Sequence, residues 1–521
     1  MQPQAELSDP RSASFVQRGI KHLTPPRLFW ITLAGGLIVF CLLQFWKLPS
    51  TKDRANWDYF AQVISRGGVP YRDVVNIKTP LSAYIGAAAI VATRPFGLSP
   101  VIATRTTFVC LSALTVAFTF LVATLYFGSR RIGLLAAMIL CGIFLFGRLS
   151  SDGIQPKLPM VLFGLISLWA TIRGHPVRAG MFGMLSALSW QPGLLFVGTS
   201  GLAFTRYLTS WRDGKWAKVI LGAAIPLAPF LAHLLIGGSL RDFYLWCFRF
   251  NVEVYAPYDF STYGSFVKHF TMLVDKSYNE DRGYFQLAAS GTVLAAAREV
   301  YLGIKRGRVE LQHRAPYHQV IIAPIVYLIF CRINMQGEQD LIPLLPFIGI
   351  FAAFVLLSVI DGIIGLFGQL SPRVNVSRLE LMMGGVLLIV VFVVSVRPDF
   401  SFAIGRRNLV NQQADAAEVM SLLQPGDEIW VHGQTEMLVI SGLTNSHKYT
   451  NLDHGKDNYL DRVEAGGFQA WFEKLKSDRP RVVMFTRNKR VARKREFLDW
   501  LKQDYDRRRG KLFTYYVRKE Q

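Results

Sequence analysis

One stretch of the chain concentrates residue types able to handle a proton and an anion close together. It runs from Asn56-Trp-Asp58-Tyr-Phe, through Gly67-Gly-Val-Pro70-Tyr-Arg-Asp73, to Asn76-Ile-Lys78-Thr-Pro80. A carboxylate can take up a proton and an ammonium group can hold a phosphate, so Asp58, Asp73 and Lys78 are candidate functional residues. The stretch follows an apolar run, 28–46, close to the length a helix needs to cross a bilayer. An amphipathic helix over 57–65 puts Asp58 about two turns beyond the point where that span leaves the hydrocarbon, level with lipid headgroups. Lys78 precedes a second apolar piece, 80–96, at the same level.

The elements that must position these residues follow from composition. Of 521 residues, 51% are hydrophobic and 18% charged, against about 25% charged in a soluble globule. The apolar residues fall in long runs, which excludes intrinsic disorder, a secreted disulfide scaffold and a purely soluble enzyme. Cys41, Cys110, Cys141, Cys247 and Cys331 are scattered through those runs without the spacing of a metal site or disulfide framework. The expected fold class is an α-helical polytopic membrane protein with a small C-terminal α/β domain. The net charge of +22 matters through its location. Basic clusters such as Arg130-Arg131, Arg212–Lys218 and Lys305–Arg314 occupy short loops, and the positive-inside rule places them on the cytoplasmic face. Eleven spans satisfy that rule: 28–46, 102–126, 132–148, 158–172, 177–190, 193–208, 217–237, 284–303, 317–332, 342–367 and 380–396. Segment 80–96 is then re-entrant or surface-lying. The spans 177–190 and 193–208 meet at Trp190-Gln191-Pro192, where proline breaks the helix.

Three regions follow: a cytoplasmic tail, 1–27; a membrane domain, 28–396, with long outer loops at 47–101 and 238–283; and an outer domain, 397–521. In the last, helical periodicity at 414–423 precedes strand-like Glu428–His432, a helix around 468–476, a strand at 481–486, a helix at 494–504 and a strand near 511–517. That alternation predicts a small α/β unit.

The acidic first outer loop, the Gly-x-Pro-Tyr-x-Asp pattern ending at Asp73 and Lys78-Thr-Pro-Leu81 together resemble the GT-C class of glycosyltransferases. More narrowly, the resemblance is to the protein O-mannosyltransferase and lipid A aminoarabinose transferase group. It continues through the break at Trp190-Gln191-Pro192, the apolar Leu341-Ile-Pro-Leu-Leu-Pro346 and the Gly426–Gly433 opening of the outer domain. The resemblance implies transfer of a sugar from a polyprenyl phosphate to an acceptor hydroxyl outside the cytoplasm. In that scheme Asp58 is the general base, with Asp73 its competitor. Lys78 binds the leaving phosphate, with Arg249 and Arg332 behind it. Asp152, Glu338 and Asp340 are further substrate-binding candidates, Glu338-Gln339-Asp340 standing where relatives carry a His-Tyr pair.

Neither a metal nor an organic cofactor is expected: His432, His447 and His454 lack zinc spacing, and no phosphate-cradling glycine loop occurs. The expected partners are a polyprenyl-linked sugar, a glycan, lipid or protein acceptor and membrane lipid, in a bacterial inner membrane with the site facing the periplasm. The basic run Arg487–Arg495 suits anionic headgroups or solvent better than nucleic acid. A lipid-linked sugar flippase and a non-catalytic envelope assembly factor are the alternatives. Against the flippase, the ionisable residues crowd the outer loops rather than mid-membrane.

Overall fold

The computed structural model describes residues 25–42, 45–50, 52–206, 211–256, 266–333, 335–370, 408–486 and 491–520. Among these, six helices are long and apolar enough to cross a bilayer: Pro26–Lys47, Pro100–Phe127, Lys215–Ile236, Asn279–Arg306, Ala315–Ile333 and Glu338–Leu366. Their outward faces are apolar too: Trp30, Ile38, Leu221, Leu235, Val293 and Ile329 are exposed, as lipid-facing residues are. Pro100–Phe127 lies centrally, against Pro25–Leu42, Arg130–Gly142 and Lys157–Ile172. It starts where the Ser99 side chain accepts a hydrogen bond from Ile102 N, and it ends at Gly128 in the left-handed conformation.

The expectation of eleven spans is not reproduced by helix length. Residues 132–148 form two helices, Arg130–Gly142 and Phe144–Ser151, bent by 65° at a break, which together make at most a seventh crossing. Lys157–Ile172, Pro176–Ser189 and Leu194–Phe204 have 16, 14 and 11 residues. At about 1.5 Å per residue none of them covers the roughly 30 Å of hydrocarbon. They survive as short helices because they pack on one another. Gly180 faces Val219, where a Cβ would stand 1.9 Å from its carbonyl oxygen, and Gly222 faces Val177 in the same way at 2.0 Å. Two backbones therefore cross with no side chain between them. Segment 80–96 is a helix, Leu81–Thr93, continued by a 3-10 turn, Arg94–Phe96. The expected span 380–396 lies outside the described residues.

The C-terminal α/β domain, expected outside the membrane, is built on a four-stranded sheet: β1 (Ile429–His432), β2 (Val482–Phe485), β3 (Tyr505–Arg509) and β4 (Thr514–Arg518). Its order is β1-β2-β4-β3, with β1 and β2 parallel and the other pairs antiparallel. All three expected strands, as β1, β2 and β4, and all three expected helices are present. Strand β3 was not anticipated, since it follows the helix Lys494–Asp504 directly and reads Tyr-Asp-Arg-Arg-Arg with four exposed residues. The short helices Glu436–Ser441 and Lys456–Val463 were also not anticipated.

Candidate functional site

The helix following the first span is longer than its apolar pattern indicates, Lys52–Ser65. It begins with an acid in its first turn, where the helix dipole favours negative charge. The side chains at Asp53, Asn56 and Trp57 recur at helical spacing and share one face. That face, with Arg54, lines a cavity of about 190 Å³. Its other walls are Val75–Lys78, Ile154–Pro156, Gln336 with Gln339, and Tyr255; Thr450, Asn451, Asp453, His454 and Lys456 of the C-terminal domain form its roof.

Asp58 is not on that wall. It lies five residues beyond Asp53, about 140° around a helix of 3.6 residues per turn. It is completely buried. The Gly153 backbone (φ +130°) covers it closely: a side chain there would stand 3.0 Å from Asp58 Oδ2. Burial pushes the Asp58 carboxyl up to about 7, opposed by the Arg105 guanidinium. Arg105 is itself buried and donates Nη1 to the carbonyls of Phe45 and Leu48 at 2.9 and 2.7 Å, pinning the exit of the first span.

Asp53, not among the residues expected from the sequence, is exposed and lines the cavity. It accepts a hydrogen bond from Gln339 Nε2 at 3.2 Å. Gln339 Oε1 in turn accepts from Arg54 Nη1 at 2.9 Å, and Arg54 Nε donates to Asp152 Oδ1 at 2.9 Å. Asp152 is thus one side chain removed from the cavity, neutralising Arg54. Asp340 plays the corresponding part for Lys157, at 2.7 Å with both side chains nearly inaccessible. Its other oxygen accepts from the backbone of Gln336 and Gly337.

Lys78 lines the cavity, and among the described residues no carboxylate lies within ion-pairing distance of it. Its ammonium group sits 5.4 Å from the centre of the Trp190 ring. Burial pushes the Lys78 amine down to about 7; Lys157 and Arg54 act in the same direction, with Asp340 and Asp53 opposing. Arg54, Lys157 and Lys456 are each paired to a carboxylate, so among the described lysines and arginines around the cavity Lys78 is the one left to an incoming anion.

The remaining candidates lie elsewhere. Asp73 closes its own turn, accepting from Val69 N at 2.7 Å and from the Arg72 side chain, which holds its carboxyl below the usual range. Arg249 pairs with Glu253 at 2.7 Å, and Glu253 also pairs with Arg462, a strut to the C-terminal domain. Arg332 is exposed at the end of Ala315–Ile333. Glu338 gives its backbone carbonyl to Tyr278, while its neighbours Gln336 and Gln339 face the cavity.

No family model matches the chain, and no curated protein matches it in sequence. Solved structures do. ArnT from Cupriavidus metallidurans, a lipid A aminoarabinose transferase bound to undecaprenyl phosphate, is 13% identical with a TM-score of 0.63; the match covers 94% of this chain and 97% of that one. Its apo form matches with a TM-score of 0.57 at 14% identity and the same coverage. The oligosaccharyltransferase of Archaeoglobus fulgidus matches at 11% identity with a TM-score of 0.54, over 88% of this chain and 69% of that one. Both proteins are GT-C glycosyltransferases. The likeness shows that this chain has their fold, the one its motifs resembled.

Proposed function

We propose that the protein is a membrane glycosyltransferase that moves a sugar from a polyprenyl phosphate to an acceptor hydroxyl at the outer surface of a bacterial inner membrane. One observation carries this reading: a single cavity, roofed by the outer domain, has an exposed carboxylate at Asp53 and a lysine without a carboxylate partner at Lys78. The undecaprenyl phosphate held by the fold neighbour from Cupriavidus metallidurans supports a polyprenyl phosphate as the ligand here.

In this reading Lys78 holds the phosphate of the donor, whose charge grows as the bond from the anomeric carbon to the phosphate oxygen breaks. The acceptor oxygen forms the new bond to that carbon, and its proton passes to Asp53. The leaving phosphate departs with the electron pair. Arg54 and Gln339 hold Asp53 in orientation, and Asp152 keeps Arg54 from acting as a second anion site. Asp58, sealed behind Gly153, takes no part in the proton transfer. Asp340 likewise acts through Lys157 rather than on the substrate. Asp73, Arg249, Arg332 and Glu338 support loops around the cavity.

Binding of undecaprenyl phosphate to the full chain in nanodiscs tests the phosphate role. Replacing Lys78 by Ala removes one charge-assisted contact, about 1.5–3 kcal/mol, so affinity falls roughly 10- to 150-fold. Unchanged affinity would remove Lys78 from the phosphate site.

A further inference from the structure

We propose that the helix break Trp190-Gln191-Pro192 is a positioning device for Lys78, holding its backbone in place and its ammonium charged but not neutralised. This rests on the reading of Lys78 as the phosphate partner and adds the residues that make it one.

Three consecutive residues around Lys78 are each held by the break and the last turn before it. Gln191 Nε2 donates to the Ile77 carbonyl at 2.9 Å. The Trp190 ring lies against the Lys78 ammonium group. Thr79 Oγ1 donates to the Ala187 carbonyl at 2.8 Å. Asn251, in the π-helical stretch Leu245–Tyr255, reinforces the first contact by donating to Ile77 O at 2.7 Å and to Cys247 O at 2.9 Å. Gln191 also reaches Cys247 O, at 3.1 Å. The loop bearing Lys78 is therefore stitched to two separate elements through the carbonyl immediately before it.

The break itself is closely packed. Trp190 is extended (φ −158°, ψ 135°), which turns its indole off the end of Pro176–Ser189. A side chain on Gly193 would stand 2.3 Å from the backbone of Ser186, so the chain turns back within a residue's width.

A tryptophan here does what a carboxylate would not. The negative face of the indole attracts an ammonium ion without forming a contact ion pair, and so leaves the N–H donors for another anion. The same ring shows the contrast, because Lys157 lies 4.8 Å from its centre and is paired to Asp340. Burial, Lys157 and Arg54 work against the Lys78 charge, while Asp340 and Asp53 favour it; the indole face adds to the side that keeps the ammonium charged.

The test is the pH dependence of undecaprenyl phosphate binding by the full chain in nanodiscs. In the wild type, affinity falls as pH rises through the range where Lys78 loses its proton. Trp190→Leu shifts that fall to lower pH and weakens binding roughly five- to thirtyfold at neutral pH, the range a desolvated cation–π contact supplies. Gln191→Leu weakens binding without moving the pH midpoint, since it frees the backbone and leaves the indole. In a Lys78→Ala background neither substitution has a further effect, because what each one supports is already gone. Equal losses with and without Lys78, or an unmoved midpoint in Trp190→Leu, would overturn the proposal and leave the break as ordinary packing. Trp190→Phe, which keeps an aromatic face, retains most of the affinity and guards against a variant that fails to fold. If Lys78→Ala alone binds like the wild type, the phosphate reading falls instead, a separate outcome.

Discussion

Two carboxylates five residues apart on one helix have opposite surroundings. Asp53 meets the cavity, whereas Asp58 is buried against the loop at Gly153. A helix expected over 57–65 leaves Asp53 out, whereas the helix begins at Lys52 and turns Asp53, not Asp58, to the cavity. The spacing Asp53, Asn56, Trp57 carries the missing signal, but a polar first turn looks like a loop when only apolar periodicity is followed. The state of Asp58 has a consequence for stability. Its folded pKa, about 7, lies above the ordinary carboxylate value. The unfolded chain therefore gives up its proton at lower pH, and the stability Asp58 contributes when protonated is lost as pH rises through about 7. Thermal unfolding in detergent is expected to show a decline between about pH 4 and 7, levelling off above it, that Asp58→Asn makes shallower. A wild-type profile already flat over that range would contradict this account of Asp58.

At the scale of elements, long and short apolar runs were both legible as helices, the break at Trp190–Pro192 included, but the short ones are not full-length crossings. The spans near 102–126, 217–237 and 317–332 match helices within a few residues, because about 20 apolar residues can do little else in a bilayer. The helices at 157–204 are short because neighbouring helices cover them, and no single-segment rule detects cover. Gly180 and Gly222 show the cost of that arrangement. Gly180→Leu forces the crossing helices apart, and a loss of at least the roughly 1–3 kcal/mol typical of overpacking is expected in unfolding experiments. Wild-type stability in that variant would mean the helices do not cross so closely. In the C-terminal domain, Asp415 accepts hydrogen bonds from the backbone N–H groups of Lys511, Leu512 and Phe513 at 2.7–2.9 Å, fixing the turn between β3 and β4. Asp415→Ala strands three donors and is expected to cost about 2–4 kcal/mol. That turn was invisible in the sequence because its anchor lies about 95 residues upstream.

At the scale of the whole molecule, the C-terminal domain is clamped to the helix that bears Asp53. Tyr59 OH accepts from Asn445 N, Thr435 donates to Asn56, and Gln62 donates to the carbonyls of Leu438 and Leu443. Ser50 and Gln412 exchange two hydrogen bonds at 2.8 Å. The roof of the cavity and its floor are therefore fixed relative to each other by contacts between residues more than 350 positions apart. The order of motifs made the fold legible, but nothing local indicated that Thr450–Lys456 would close the cavity. The most direct test of the central claim is turnover of radiolabelled polyprenyl-phosphate sugars in proteoliposomes, comparing wild type, Asp53→Asn and Asp58→Asn. Loss of a positioned general base slows transfer by about 10²–10⁴-fold, so Asp53→Asn should bind donor and barely consume it, while Asp58→Asn stays within a few-fold of wild type. Wild-type turnover by Asp53→Asn, or abolition by Asp58→Asn alone, would contradict the assignment of this cavity as the catalytic centre.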